Sequence, residues 1–390
     1  MSLRAASRAL LAGNFAIGCG VMVTAGSLND LVASLQVSVA MGGQLISVAA
    51  VAMAVGAPLM AALFAGVDRR RLLTAALLWY AAGHALSALM PHYAALLPVR
   101  ALAVLAAAVF TPQAAAAVNV MAPPEQRGRI MTFIFLGWSI SSVLGMPLHA
   151  WIGETFGWRW AFALVSGLSL VAALAVWRTV PDGVRPPPLS LRDWGRVFSN
   201  PLLMGLVMIT VISGAGQFTL FTYLAPYYRQ VLGASPEAVS FLFMWYGAFG
   251  LIGNILLTRW IGRLGAARCV SIGLTSMAVS LLAWPLGTTV FSMCIVALPW
   301  ALGVFSSNSA QQARLSAASP AFAPALLALN TSAIYAGQAI GAVTGGAILS
   351  TAGGQGYGAL SHTAFAYLLL ALGLSLFLAW RMKPPVPSHA

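Results

Sequence analysis

Seven acidic residues, five histidines and three cysteines are all that this 390-residue chain offers for acid–base, metal or nucleophilic chemistry. The acids are Asp30, Asp68, Glu125, Glu154, Asp182, Asp193 and Glu237, and the histidines are His84, His92, His149, His362 and His389. No two acids fall within a helical turn of each other inside an apolar run. No H-E-x-x-H occurs, and the scattered histidines have no spacing suited to a serine–histidine–aspartate triad. A membrane-embedded enzyme would need such a constellation, so no catalytic residue, cofactor or metal site is expected. Cys19, Cys269 and Cys294 share no spacing and lie in or beside apolar runs. There a cysteine serves as a small buried hydrophobe rather than a ligand or disulfide partner.

The framework that must position these few groups is apolar. Hydrophobic residues make up 60% of the chain and charged ones 7%, against about 25% charged in a soluble protein. Such a chain cannot cover a surface facing water, so its solvent is lipid. Twelve runs are each long enough to cross a bilayer, which takes roughly 20 apolar residues. They are Leu10–Leu28, Gly43–Phe64, Leu72–Met90, Leu96–Val120, Ile130–Ile152, Trp160–Val180, Leu202–Tyr227, Ala238–Leu257, Cys269–Leu286, Val290–Ala310, Ala325–Ser350 and Thr363–Trp380. The first follows Arg4 and Arg8 but exceeds the apolar core of a signal peptide, so a retained helix is expected. The expected fold class is an all-α membrane protein with twelve transmembrane helices.

Charge sets the expected orientation. With the N-terminus in the cytoplasm, seventeen arginines and lysines fall inside and only Arg100, Arg159 and Arg229 outside. Four acids fall inside and three outside, so the whole net charge of +13 sits on one face. The positive-inside rule and anionic lipid account for it, and no nucleic-acid partner is needed. Both termini are then cytoplasmic.

The chain divides at a polar stretch. Residues 1–180 form one six-span half and 201–390 the other, joined by a linker over 181–200. That linker carries Pro186, Pro187 and Pro188 and then an amphipathic run expected to lie on the membrane surface. Gly56 precedes Asp68-Arg69 by twelve residues, as Gly250 precedes Gly262-Arg263. Gly137 and Gly145 in the fifth span are echoed by Gly337 and Gly345 in the eleventh. Two like-oriented halves are a parallel repeat, an architecture of transporters.

The second span ends Gly56-Ala-Pro-Leu…Gly66-Val-Asp68-Arg69-Arg70-Arg71. This resembles the loop signature of the major facilitator superfamily, without its inner glycine. Pro123-Pro-Glu-Gln-Arg-Gly-Arg129, Val143-Leu-Gly-Met-Pro-Leu148 and Gly157-Trp-Arg-Trp-Ala-Phe162 resemble its drug:proton antiporter branch, which includes bacterial sugar, arabinose and nucleoside efflux permeases. Phe221-Thr-Tyr-Leu-Ala-Pro226 and the eleventh-span glycines are similar too. The resemblance implies a monomeric inner-membrane exporter of a small neutral or amphipathic solute, working by alternating access with protons as counter-substrate. An uncoupled facilitator and an importer stay as alternatives.

The resemblance also implies roles. Gly56, Asp68, Arg69, Arg70 and Arg71, with Glu125 and Arg127, would form a cytoplasmic latch. Gly137, Gly145 and Pro147 would act as a hinge in the fifth span, where it meets the opposite half; plain helix packing is the other reading. Arg100 matches the family's fourth-span arginine. An unpaired arginine in lipid is costly, so it should face the cavity or find a partner such as Asp30. His84 should face away from the cavity, because the third span is peripheral in the family.

Many relatives in this branch carry a first-span glutamate where this chain has Val21, and no acid falls mid-span. Proton coupling would then rest on Asp30 or His149, or be absent. Histidine's ordinary value of about 6.5 favours His149 should Asp30 pair with Arg100. The substrate cavity is expected to draw on Arg100 and on neutral groups: Asn14, Gln113, Gln217, Tyr223, Asn308, Asn330, Tyr335 and Gln338, with Asn119, Thr222 and Tyr246 beside them.

Overall fold

The computed structural model describes residues 3–64, 66–185, 191–351 and 356–382. Every regular element among the described residues is helical, as lipid demands of a chain that must satisfy its backbone internally. Twelve helical segments are long and apolar enough to span a membrane. Lys383, Ser2 and the three linker prolines lie outside the described residues.

The first span is α1 (Leu3–Gly26), continued after a break at Ser27 by the short α2 (Leu28–Ser34). Spans two to four are α3 (Val39–Leu63), α4 (Arg69–Leu89) and α5 (Tyr93–Met121). Their N-termini are capped by Ser38, Asp68 and His92, whose side chains accept from backbone N–H groups of the first turn. Span five is α6 (Pro124–Ile140), a π-helical turn (Ser141–Gly145) and α7 (Met146–Phe156). Pro147 has no N–H to donate to the turn before it, which explains why the regular ladder loosens there. Span six is α8 (Trp158–Thr179).

In the linker, α9 (Leu191–Phe198) puts Trp194 and Val197 against the core while Arg192 is exposed, and the Trp194 and Phe198 rings stack at 6.0 Å. The seventh span breaks as the first does, into α10 (Pro201–Phe221) and α11 (Leu224–Gln230). The remaining spans are α12 (Pro236–Leu264), α13 (Ala266–Ala283), α14 (Val290–Ala318), α15 (Ala323–Thr351) and α16 (Tyr357–Arg381).

Buried side chains gather in two apolar clusters. One runs from Ala6 to Val184 and takes in Tyr335; the other runs mainly from Val197 to Leu378 and takes in Ala25, Leu28, Ala40, Ile46, Met146 and Ala150. The exceptions mark the seam between them, where α3 packs on α15 and the π turn and α7 pack on α12. Small residues make that seam possible. A Cβ on Gly247 of α12 would stand 2.5 Å from the Ser142 carbonyl oxygen in the π turn, so only glycine permits this approach.

Candidate functional site

Successive spans alternate in direction, so the bundle has one end rich in arginine and one poor. The arginine-rich end holds the expected latch. Asp68 caps α4 by accepting from the Arg71 N–H at 3.3 Å, and its other oxygen accepts from the Gly183 N–H at 2.6 Å. The Arg69 N–H donates to the Val184 carbonyl. Arg70 pairs with Asp182 at 2.7 Å and lies 4.3 Å over the Trp177 ring. Asp68 and Arg70 thus hold the end of α8 and the start of the linker. The reason is reach, since the short Asp68 side chain meets the chain leaving α8 first. Glu125 and Arg127 are exposed on α6, with Arg127 donating to its own chain at the Ala122 carbonyl. Arg71 is also exposed.

The expected hinge glycines serve a different surface. A Cβ on Gly137 would meet the Leu11 carbonyl oxygen at 2.5 Å, and one on Gly145 would meet Cys19 Sγ at 2.7 Å, both on α1. Gly337 and Gly345 likewise abut α10, at Val211 and Thr219. These four glycines pack the fifth span on the first and the eleventh on the seventh, rather than meeting the opposite cluster. The group that does meet it is the π turn beside Pro147. Gly56 packs on Leu105 of α5.

At the arginine-poor end the broken first and seventh spans come together. Asn29 on α2 donates to the Ala225 carbonyl on α11 at 3.2 Å and to Glu154 on α7 at 2.6 Å. The second Glu154 oxygen lies 3.8 Å from Arg229. Tyr223 donates to the Ala342 carbonyl at 2.7 Å, and its ring fills the space over Gly43, Gly345 and Gly346. Tyr223 is thus a seam residue, fully buried. Among the described residues, the Asn29–Ala225 hydrogen bond and the Glu154–Arg229 ion pair are the ones that join the two halves, and both lie at this end.

Arg100 does not pair with Asp30. It donates through Nη1 to His84 Nε2 at 2.8 Å and through Nη2 to the Gly20 carbonyl at 2.6 Å. Asp30 instead accepts from the Trp158 N–H at 2.7 Å, satisfying the first turn of α8. His84, expected to face away from the cavity, is fully buried among first-half residues, where it is the side-chain partner of Arg100. Spacing could have hinted at this, because helices three and four are neighbours and both groups sit near their arginine-poor ends. His149 is fully buried against α1, and neither of its ring nitrogens has a hydrogen-bond partner.

The neutral polar residues fall into two groups. Some are consumed by helix-to-helix bonds: Asn14 donates to the Ile134 carbonyl and accepts from Thr111, and Asn330 accepts from Thr210 at 2.6 Å. Gln217 turns back on its own helix to Ser213. Others retain hydrogen-bonding capacity. Asn308 Oδ1 is buried without a partner. Gln113, Tyr335 and Gln338 are buried and make no side-chain hydrogen bond to another described residue. Tyr335 belongs to α15 yet packs within the other apolar cluster, so it crosses the seam. Phe221, Tyr246, Trp300, Trp284 and Tyr227 form an aromatic chain with successive ring centroids 5.4 to 5.8 Å apart.

Twelve spans around a seam sealed at one end, with unpaired polar groups along it, define a multi-pass membrane transporter. The family signature agrees. The Major Facilitator Superfamily profile matches residues 10–235 and 206–390, and the chain belongs to that family. Among curated relatives, it is 27% identical over 376 residues to the inner membrane transport protein YdhP of Escherichia coli (strain K12), covering 96% of each chain. It is 26% identical over 336 residues to the uncharacterized MFS-type transporter YbcL of Bacillus subtilis (strain 168), covering 85% of this chain and 86% of that one. The fold is shared with a D-xylose–proton symporter at TM-score 0.78, 17% identity and 98% coverage of both chains. A bacterial homologue of the human lysosomal transporter Spinster, in an inward-facing and occupied conformation, superposes at TM-score 0.75 and 16% identity, covering 97% of this chain and 98% of that one.

Proposed function

We propose that this chain is a bacterial inner-membrane exporter of a small neutral or amphipathic solute, of the drug:proton antiporter branch, working by alternating access. Its arginine-rich end faces the cytoplasm, both termini with it. Residues 1–180 and 201–390 act as the two moving halves. The observation that carries the reading is the asymmetry of the seam. Among the described residues, one hydrogen bond and one ion pair join the two halves, both at the arginine-poor end. A structure closed at one face by a few breakable bonds is what an alternating mechanism requires. Gln113, Asn308, Tyr335 and Gln338 are the proposed solute-binding groups, since amides and a phenol with spare hydrogen-bonding capacity suit hydroxylated molecules and offer no site for a dianion. Protons are the proposed counter-substrate.

A second reading, an uncoupled facilitator, is favoured by one fact: none of the seven acids falls in the middle of a span. Transport of a solute panel in proteoliposomes, with and without a pH gradient, separates the two. Solute accumulation driven by the gradient supports the antiporter. Equilibration that ignores the gradient leaves the facilitator, and no transport of any solute under either condition would overturn both.

A further inference from the structure

The seam carries a groove on its lipid side. One wall is α3 over residues 40–52, the other is α15 over residues 342–350, and α5 contributes Ala101. Each half of the molecule thus supplies a wall, where α3 packs on α15. The cavity measures about 710 Å³, and none of its lining residues is charged. Small side chains keep it open: Ala52, Ala101, Ala342, Gly346 and Ala347 stand where larger ones would fill it. Val51 and Val343 also line it and are each more than half exposed, so its rim meets lipid.

Its depth in the membrane follows from the helices. Both walls start at the arginine-poor end, where α3 begins at Val39 and α15 ends at Thr351. At 1.5 Å per residue the α3 wall is about 18 Å long and the α15 wall about 12 Å. One leaflet of a roughly 30 Å hydrocarbon core is about 15 Å deep, so the groove matches a single leaflet. Of its polar residues, Ser47 and Ser350 spend their hydroxyls on the Gly43 and Gly346 carbonyls of their own helices. Gln44 is placed differently. Tyr93 O–H lies 2.8 Å from the Met41 carbonyl and 3.0 Å from Gln44 Oε1, which anchors the amide near the arginine-poor end and leaves its N–H groups to donate. An apolar void of this size forfeits the dispersion contacts of its walls, and water finds too few polar partners in it. The molecules standing at its rim are acyl chains.

We propose that this groove binds one acyl chain of a phospholipid from the leaflet at the arginine-poor end, with the head group beside Gln44. The proposal goes beyond the transport reading and needs neither a particular solute nor protons. The chain lies against α3 of one half and α15 of the other, so it is a component of the seam rather than a coat on either half. Parting the halves at that end draws the two walls away from each other and costs the chain one set of contacts. A bound tail therefore favours the closed arrangement.

The test uses the purified protein in nanodiscs of phosphatidylethanolamine and phosphatidylglycerol, a fraction of the lipid carrying a photoreactive diazirine midway along one acyl chain. After illumination, label should concentrate on both walls, over residues 48–52 and 342–347. It should stand severalfold above the label around Val171 of α8, which is more exposed to lipid than either rim valine but lines no groove. Ala347→Phe fills the groove from an exposed position and should bring both walls down to the α8 level. Ala101→Phe fills it from α5 and should do the same, which keeps the test valid should Ala347→Phe fold poorly. Label spread evenly over the exposed spans, label on one wall alone, or a folded variant labelled as wild type would overturn the proposal. Asn29→Ala, which removes the hydrogen bond across the arginine-poor closure, should lower the label on both walls together. Unchanged labelling in that variant would overturn the tie between the bound chain and closure.

Discussion

Gly247 of α12 rests directly on the Ser142 carbonyl of the π turn in the fifth span, at a separation no side chain tolerates. Two halves of the molecule touch backbone to backbone there, and the softened ladder beside Pro147 is one side of the contact.

Gly247→Val should therefore push α12 off the π turn. Overpacking of this kind costs about 1–3 kcal/mol. Thermal unfolding in detergent should show the loss, and Gly250→Ala, whose close contact is with the Phe305 ring rather than with backbone, should cost less. Equal melting temperatures for wild type and Gly247→Val would contradict the packing described.

Asp68→Ala loses a helix cap and the acceptor of the Gly183 N–H together, an expected cost of about 1–2 kcal/mol. Asp68→Asn keeps a capping oxygen and should stay within about 1 kcal/mol of wild type, yet lower transport by freeing the linker from α4. Full transport by Asp68→Asn would remove the latch from the mechanism.

Asn14→Leu leaves Thr111 and the Ile134 carbonyl without their shared partner, at about 1–3 kcal/mol. The geometry makes Asn14 a fastener among α1, α5 and α6. Its loss should appear as a lower melting temperature with the solute KM unchanged in the surviving protein. A raised KM at constant stability would return Asn14 to the solute-binding groups.

Asp30→Asn should cost about 0.3–1 kcal/mol through the weakened N-terminus of α8 and leave proton movement intact. Solute-driven proton flux in proteoliposomes checks it. Abolished flux would restore Asp30 as a coupling group.

Asn29→Ala should loosen the arginine-poor closure more than Arg229→Ala does. The Asn29–Ala225 bond across the seam is a hydrogen bond of 3.2 Å from a partly buried side chain, whereas the Arg229 pair is 3.8 Å apart and partly exposed, the kind of pair that contributes about 0–1 kcal/mol. Distances between labels across the seam give the comparison. A larger effect from Arg229→Ala would reverse the assignment.

Much of the fold was legible without coordinates, because lipid leaves a spanning chain few choices. All twelve runs are helices in the structure. Side-chain partners were another matter. Arg100 was expected beside Asp30, since both sit near the same membrane face. It bonds instead to a residue on the next helix back and to a carbonyl eighty positions earlier. Depth can be read from a sequence; azimuth about a helix that is apolar all round cannot. The same gap misdirected Gly137 and Gly145, whose spacing announces close packing but not against which neighbour. His84 was passed over on the peripheral position of its helix, although one face of a peripheral helix still points inward.

The place of the Gly247 contact along α12 has a mechanical consequence. It falls eleven residues into a helix that begins at Pro236, roughly 16 Å from that end at 1.5 Å per residue. A helix rocking on such a fulcrum multiplies angle into displacement at its tip. Tilting by about ten degrees would carry the tip through about 3 Å at that rise per residue, as far as a hydrogen bond is long. Ala225 and Arg229, the partners of Asn29 and Glu154, belong to α11, the element that leads into that tip, so a rotation that carries α11 along would part both contacts while the fulcrum itself need not slide.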